Sequence, residues 1–398
     1  MESEKPTSKH PGKSAIPIWR DERVLRIATQ VISAVLVIAF LWWSIDNFLL
    51  AMQQRGMSMS FRFMQDSAGF PISESPIPYD PSRSFSYAFY VGILNTVRVA
   101  SIGIVLTTIL GVIVGIARLS TNWLVNRIAL AFIEFHRNIP LLVLLFIWYF
   151  AVFLKLPRVE DSIQWPGSIY INQRGLYIPW LRFTEGSSIF LISLGIGIVL
   201  ATIAWIWLSR IRVATGKPTY YGAVSMAILV IIPIIGWFLA GGNPVEIDPP
   251  ILVGFNYRGG THLTPEFTAL LVGLFTYTAA FVAEVVRAGI LAVSRGQIEA
   301  ARAVGLNYIQ ILSLVIMPQA MRVIVPPLIS QYLNLTKNSS LAFFIGYIDL
   351  FYVGRTTMNQ AGRAVQVFLL VMAAYLLMSL LTSLVLNLYN RRIQFVER

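Results

Sequence analysis

The chain has no cysteine among its 398 residues, so neither a disulfide framework nor a thiolate site can be built from it. Charge is scarce too. Asp, Glu, Lys and Arg together make up 13%, where a soluble domain carries roughly a quarter. The three histidines, His10, His136 and His262, are too scattered for a metal-ligand cluster or a nucleophile–base pair. The nearest approach to a phosphate-cradling loop is Ala214-Thr215-Gly216-Lys217-Pro218. It lacks both the glycine five residues before Gly216 and the hydroxyl after the lysine that such a loop needs. A self-contained ATPase, a zinc or thiol enzyme and a triad hydrolase are therefore excluded, and no cofactor is expected on this chain. If it works against a gradient, the energy comes from a partner or from an ion gradient.

Apolar length is what the chain has in excess. Hydrophobic residues make up 56%, and several runs approach or exceed the ~20 residues that a bilayer helix requires. The expected fold is an all-α integral membrane protein with about eight transmembrane helices. The net charge of +12 is what Lys and Arg in cytoplasmic loops produce, and nucleic acid is not an expected partner. Residues 1–26 carry Lys5, Lys9, Lys13, Arg20, Arg23 and Arg26 among Pro6, Pro11 and Pro17. That stretch is too long and polar for a signal peptide's first region and is expected to be a cytoplasmic basic tail on anionic lipid headgroups.

The spans are expected at Ile27–Leu50, Phe89–Ala117, Arg137–Leu156, Ser188–Leu208, Tyr221–Ala240, Pro265–Val286, from near Gln319 with a break at Pro326-Pro327, and Ala364–Leu388. Residues 52–86 and 157–187 are expected as irregular outer loops, the first with a short helix near Ser60–Met64. Asn122–Arg137 is amphipathic and suits the membrane interface. Gly103, Gly111 and Gly115 fall on one helical face, the last two as a GxxxG pair that favours close helix packing. Eight spans put both ends on one side. Most of the 31 Lys and Arg fall on that side, so both termini are expected in the cytoplasm.

Two polar stretches stand out. Glu299–Pro318, EAARAVGLNYIQILSLVIMP, lies between long apolar segments. It is expected as two short helices joined by a turn at Gly305, with Asn307 and Gln310 spaced as a capping box. Ala300 and Ala301 leave little bulk, so another surface can approach the first helix closely. An interfacial connector without a partner is the plainer reading, with Glu299 paired to Arg295 or Arg302. The second stretch is Asn334-Leu335-Thr336-Lys337-Asn338-Ser339-Ser340. Polar groups at membrane depth are costly, and a broken helix is tolerated there only where it lines a cavity or packs in protein. A path-lining role is therefore expected for Thr336, Lys337, Asn338, Ser339 and Ser340. The alternative is that Lys337 pairs with a neighbouring subunit's acid or snorkels outward. Asn95 and Thr96 are further candidates for the path, although polar residues there often join helices. Glu284 and Arg287, three apart, are expected as a structural pair.

The run from Glu284 through Gly296-Gln297, Glu299-Ala300-Ala301, Gly305, Pro318-Gln319-Ala320 and Lys337-Asn338-Ser339-Ser340-Leu341 resembles permease subunits of ABC transporters. It is most similar to the polar amino-acid branch and, in overall layout, to the Q-type permeases of general L-amino-acid importers. Arg137-Asn138-Ile139-Pro140-Leu141-Leu142-Val143 resembles that branch as well. Met317 stands where Leu usually precedes the final proline.

The resemblance implies a type I importer core of five helices, at 89–156 and 265–390. The span and loop at 27–88 and the two spans with loops at 157–264 would be additions, and 391–398 a cytoplasmic end. It implies a coupling loop at 294–318, with Gly296, Glu299, Ala300, Ala301, Gly305 and Pro318 meeting an ATPase. It also implies partners: a second homologous permease, a dimer of that ATPase, which uses the ATP, and a periplasmic amino-acid-binding protein. The location would be the bacterial inner membrane, and the chain would not itself be an enzyme. An ion-gradient-driven secondary amino-acid transporter is the rival. It requires intramembrane acids, and Glu284 and Asp349 lie near span ends.

Overall fold

The computed structural model describes residues 22–54 and 59–393. Most of the expected basic tail and the end of the chain lie outside the described residues. The chain divides into two units, Met1–Arg62 and Phe63–Arg398. The first holds α1 (Glu22–Gln54), whose apolar stretch covers and extends the expected first span.

A short 3-10 turn, Arg62–Gln65, close to the expected position, spans the boundary, and the second unit starts within it at Phe63. It then forms α2 (Phe85–Ala117), α3 (Trp123–Asn138) and α4 (Leu141–Phe146). Ser84 and Asn122 cap α2 and α3 with their side-chain oxygens, satisfying N–H groups that helix starts leave open. Pro140 sits just before α4 and restricts the residue ahead of it to extended geometry. The chain bends there by 106°. The segment beyond, from Leu141 through a π-type turn to Lys155, is shorter than the ~20 residues of a full span. Among the described residues, seven helices are long and apolar enough to cross a membrane, or eight with this bent pair counted as one.

The chain is mostly helical, as expected, but the outer loops are not irregular throughout: they carry short strands. Between α4 and the next spans lie β1 (Ile163–Trp165), β2 (Ile169–Asn172), β3 (Gly175–Ile178) and β4 (Trp180–Phe183). Then come α5 (Ser187–Thr215) and α6 (Tyr221–Leu239), followed by β5 (Val245–Asp248), β6 (Ile251–Val253), β7 (Asn256–Arg258) and β8 (Thr261–Leu263). One sheet has the order β1-β2-β3-β8, while β4 pairs with β5 and β6 with β7. Tyr177 is buried among Tyr257 and His262 and donates to Asn256 Oδ1 at 2.8 Å. Burial there raises its phenol above the ordinary value.

The remaining helices are α7 (Pro265–Leu291), α8 (Arg295–Ala303), α9 (Tyr308–Gln310), α10 (Met317–Asn338), α11 (Leu350–Ala361) and α12 (Ala364–Ile393). The GxxxG pair does what its spacing implies. A Cβ on Gly111 would lie 2.5 Å from Val282 Cγ1, and one on Gly115 would lie 2.8 Å from the Ala283 carbonyl oxygen. Two departures concern α10. It continues through Pro326-Pro327, because Ile324, Val325, Leu328 and Ile329 are buried and packing holds the helix where two backbone hydrogen bonds are missing. The break comes instead at Ser339, where a 3-10 turn runs to Ile345 and Gly346 closes it at φ +83°.

Candidate functional site: the glycine-closed helix and the broken helix

The polar stretch after α7 forms α8, closed by a glycine turn. Gly305 sits at φ +87°, its N–H bonds to the Arg302 carbonyl at 2.9 Å, and the Leu306 N–H bonds to the Ala301 carbonyl at 3.1 Å. This is the paired closure that a left-handed glycine after a helix makes. Asn307 and Gln310 then exchange backbone-to-side-chain bonds, each at 2.9 Å, as a capping box does. The second helix is not short, however. α9 continues through a π-type turn, Ile311–Ile316, into α10, and Pro318 lies exposed in its first turn, where proline is tolerated.

Gly296, Glu299, Ala300 and Gly305 are exposed. Ala301 is not: it is 7% exposed and packs with Val293, Ile311 and Ile316 of its own bundle. Its small side chain lets α8 lie close to the chain itself, which corrects the expectation that it faces outward. Among the described residues, Glu299 takes part in no ion pair, including with Arg295 or Arg302. The expected Glu284–Arg287 pair is present, at 2.8 Å.

The residues expected along the path separate into buried and exposed groups. Asn95 and Thr96 are fully buried. Asn95 Nδ2 donates to the Glu74 and Ile348 carbonyls, both at 2.8 Å. Thr96 Oγ1 donates to the Gly92 carbonyl and accepts from the Leu350 N–H at 3.1 Å. These bonds fasten the segment after the broken helix onto α2, so both residues are corrected from path lining to helix joining. Thr336 and Ser339 are also buried and bond back to carbonyls of their own helix. Lys337 is exposed, and Asn338 and Ser340 are partly so. Among the described residues, Lys337 has no ion-pair partner. A groove of about 390 Å³ between α2, α10 and α12 is lined mostly by apolar side chains, with Ser101, Tyr332, Thr336 and Thr382 as its polar points; Lys337 is not among its lining residues.

Sequence reasoning missed a buried polar network around Glu74 and a buried cap at Asp349. Glu74, only 7% exposed, meets Arg98 Nη1 at 2.6 Å. Its other oxygen accepts from the Thr264 hydroxyl at 2.8 Å and the Thr264 N–H at 3.2 Å. The Arg98 guanidinium lies 4.6 Å from the Phe267 ring centre, a favourable cation–aromatic contact. One loop, α2 and the start of α7 are thereby joined by one carboxylate. Asp349, fully buried, caps α11 through the Tyr352 N–H at 2.9 Å and accepts from the Tyr375 hydroxyl at 3.0 Å. Arg98 inside an apolar span was the available signal.

Residues 107–395 match the model of the binding-protein-dependent transport system inner membrane component family. The chain belongs to that family. The match takes in α8, the broken helix and most of the helices around them. The chain is 41% identical to the general L-amino acid transport system permease protein AapQ of Rhizobium johnstonii, over 95% of this chain and 94% of that one. It is 38% identical to the glutamate/glutamine/aspartate/asparagine transport system permease protein BztB of Rhodobacter capsulatus, over 95% and 96%. The Escherichia coli glutamate/aspartate import permease protein GltJ is 30% identical over 96% of its own length but 58% of this chain. The chain is a multi-pass membrane transport component, and the comparisons give no support to the ion-gradient rival.

Proposed function

We propose that this chain is the permease subunit of an ATP-driven importer of L-amino acids, coupled to a separate ATPase through α8. The carrying observation is the exposed α8 with Glu299 free of any partner among the described residues, in a chain of this transport family. A nine-residue helix closed at Gly305 and seated on its own bundle through Ala301 transmits a push to α7 and α10 without bending. Gly296 and Ala300 leave the outer face low, and Glu299 offers a charge for a groove in the ATPase. Pro318 starts the span that carries the movement inward. The substrate class follows the names of the relatives.

In this reading the translocation path passes Lys337, Asn338 and Ser340, the members of the polar stretch that reach the surface. Lys337 meets the substrate carboxylate. A second, homologous permease faces this one, two ATPase subunits lie on the α8 side, and a soluble amino-acid-binding protein delivers from the β-strand side. The α8 side is cytoplasmic, because the connector between α5 and α6 and the other basic ends lie there. The chain itself performs no chemical step. α1 and the α5–α6 pair are additions to the five-helix core.

The test is Glu299→Lys in the assembled complex. The reading expects ATP-dependent uptake to fall at least about tenfold, which a loss of ~1.4 kcal/mol of docking energy produces, while the thermal unfolding midpoint of the membrane subunit stays put. Normal uptake by that variant sinks the docking role.

A further inference from the structure

α5 and α6 form a hairpin whose buried positions, Gly197 and Ala201 on one helix and Ser225, Pro233 and Gly236 on the other, include the small residues that let the two helices meet closely. The half of the hairpin nearer the connector holds a groove of about 390 Å³, whose lining includes Ile198, Ala201, Trp205, Gly222, Ser225 and Leu229. Apolar side chains make up most of its wall. Ser225 is an exception: it is 7% exposed, and its hydroxyl has no hydrogen-bond partner. A buried hydroxyl without a partner costs free energy, so an acceptor in the groove would relieve it.

The end of the groove is cationic. Ile198, Ala201 and Trp205 lie on one face of α5, and the same spacing brings Arg212 onto that face two turns on. Trp205 and Tyr221 meet edge to face at 4.8 Å, and the Arg212 guanidinium lies 5.6 Å from the Tyr221 ring centre. Arg210 and Lys217 share this end of the hairpin, and no Asp or Glu occurs between Ser187 and Leu239. Among the described residues, none of the three cations is in an ion pair. Ser225 is one helical turn inward from Tyr221, about 6 Å. A phospholipid carries its parts in that order along the membrane normal: phosphate, ester carbonyls, acyl chain.

We propose that this groove is a binding site for one acidic phospholipid of the leaflet on the connector side. Its phosphate sits on Arg212, with Arg210 and Lys217 adding to the field, an ester carbonyl accepts from Ser225, and one acyl chain runs inward beside Ile198 and Leu229. An anionic headgroup is selected because the end has three cations and no acid. A transmembrane helix of a partner would instead leave those charges without a counterpart.

The experiment is native mass spectrometry of the purified full complex after equal additions of phosphatidylglycerol and phosphatidylcholine. The site predicts one phosphatidylglycerol retained per copy of this chain under activation that strips phosphatidylcholine. Arg212→Gln should lower that retention about fivefold, the effect of one cation near an anionic headgroup. Arg127→Gln, which removes a cation from α3, should leave it unchanged. Gly222→Leu keeps the cations and fills the groove, since a Cβ there first meets Trp205 at 3.9 Å; it should also abolish retention while the unfolding midpoint holds. Equal retention of the two lipids, indifference to Arg212→Gln, or a partner helix crosslinking into the groove in place of lipid would overturn the proposal.

Discussion

Glu74 is the residue on which the outer end of the bundle turns. It is nearly buried, holds Arg98 at 2.6 Å and accepts two bonds from Thr264. Removing one partner of a buried pair strands the other charge, at a cost of roughly 3–5 kcal/mol when both are fully buried. Arg98 is 24% exposed, so Glu74→Gln is expected near the lower end of that range. Thermal unfolding of the purified subunit measures it. Adding Arg98→Gln should cost less than the sum of the single changes, because the two share one interaction. Gly115 makes a simpler case. A Cβ there would stand 2.8 Å from a backbone oxygen of α7, so Gly115→Ala should destabilise the fold by about 1–3 kcal/mol through overpacking. The sequence showed Gly115 through its spacing, but not Glu74, which comes from a polar loop with no periodicity to place it. Asn95 and Thr96 were visible as polar residues in a span. That they join helices depends on Ile348 and Leu350, some 250 positions away in the chain.

At the scale of elements, Gly305 carries the most specific expectation. Its φ of +87° is costly for a residue with a Cβ, and a Cβ there would meet nothing within 4 Å. The penalty for Gly305→Ala is therefore backbone strain alone, about 1–2 kcal/mol. Asn tolerates this region better, so Gly305→Asn should restore most of the ATP-dependent uptake that Gly305→Ala loses. A steric explanation predicts the opposite, since Asn is the larger residue. The spans were legible because a bilayer helix needs a long apolar run and little else. The β-strands were not, since each is three or four residues long between turn signals. Pro326-Pro327 suggested a break that packing of Ile324 and Leu328 prevents. α11 was missed because it is too short and polar to be a span, and its start depends on the buried cap of Asp349. Within the proposed coupling loop, the glycine turn and capping box were readable from local spacing, whereas the inward face of Ala301 depends on Val293, Ile311 and Ile316.

At the scale of the molecule, the proposed path and the proposed coupling are separable. Lys337 is exposed and α8 is distinct from it in the chain. Lys337→Gln should lower amino-acid uptake while the ATPase still copurifies, and Glu299→Lys should weaken the hold on the ATPase itself. Measuring uptake and copurification on both variants distinguishes the two roles. The central claim is that transport by this chain runs on ATP hydrolysed by a partner. Its most direct test is to purify the chain from its own membrane in mild detergent and assay the copurified proteins for ATP hydrolysis with and without L-amino acids. The account predicts a stoichiometric ATPase, a second permease and hydrolysis that rises when amino acids and the binding protein are added. A chain that purifies alone and moves amino acids across liposomes without ATP would contradict it.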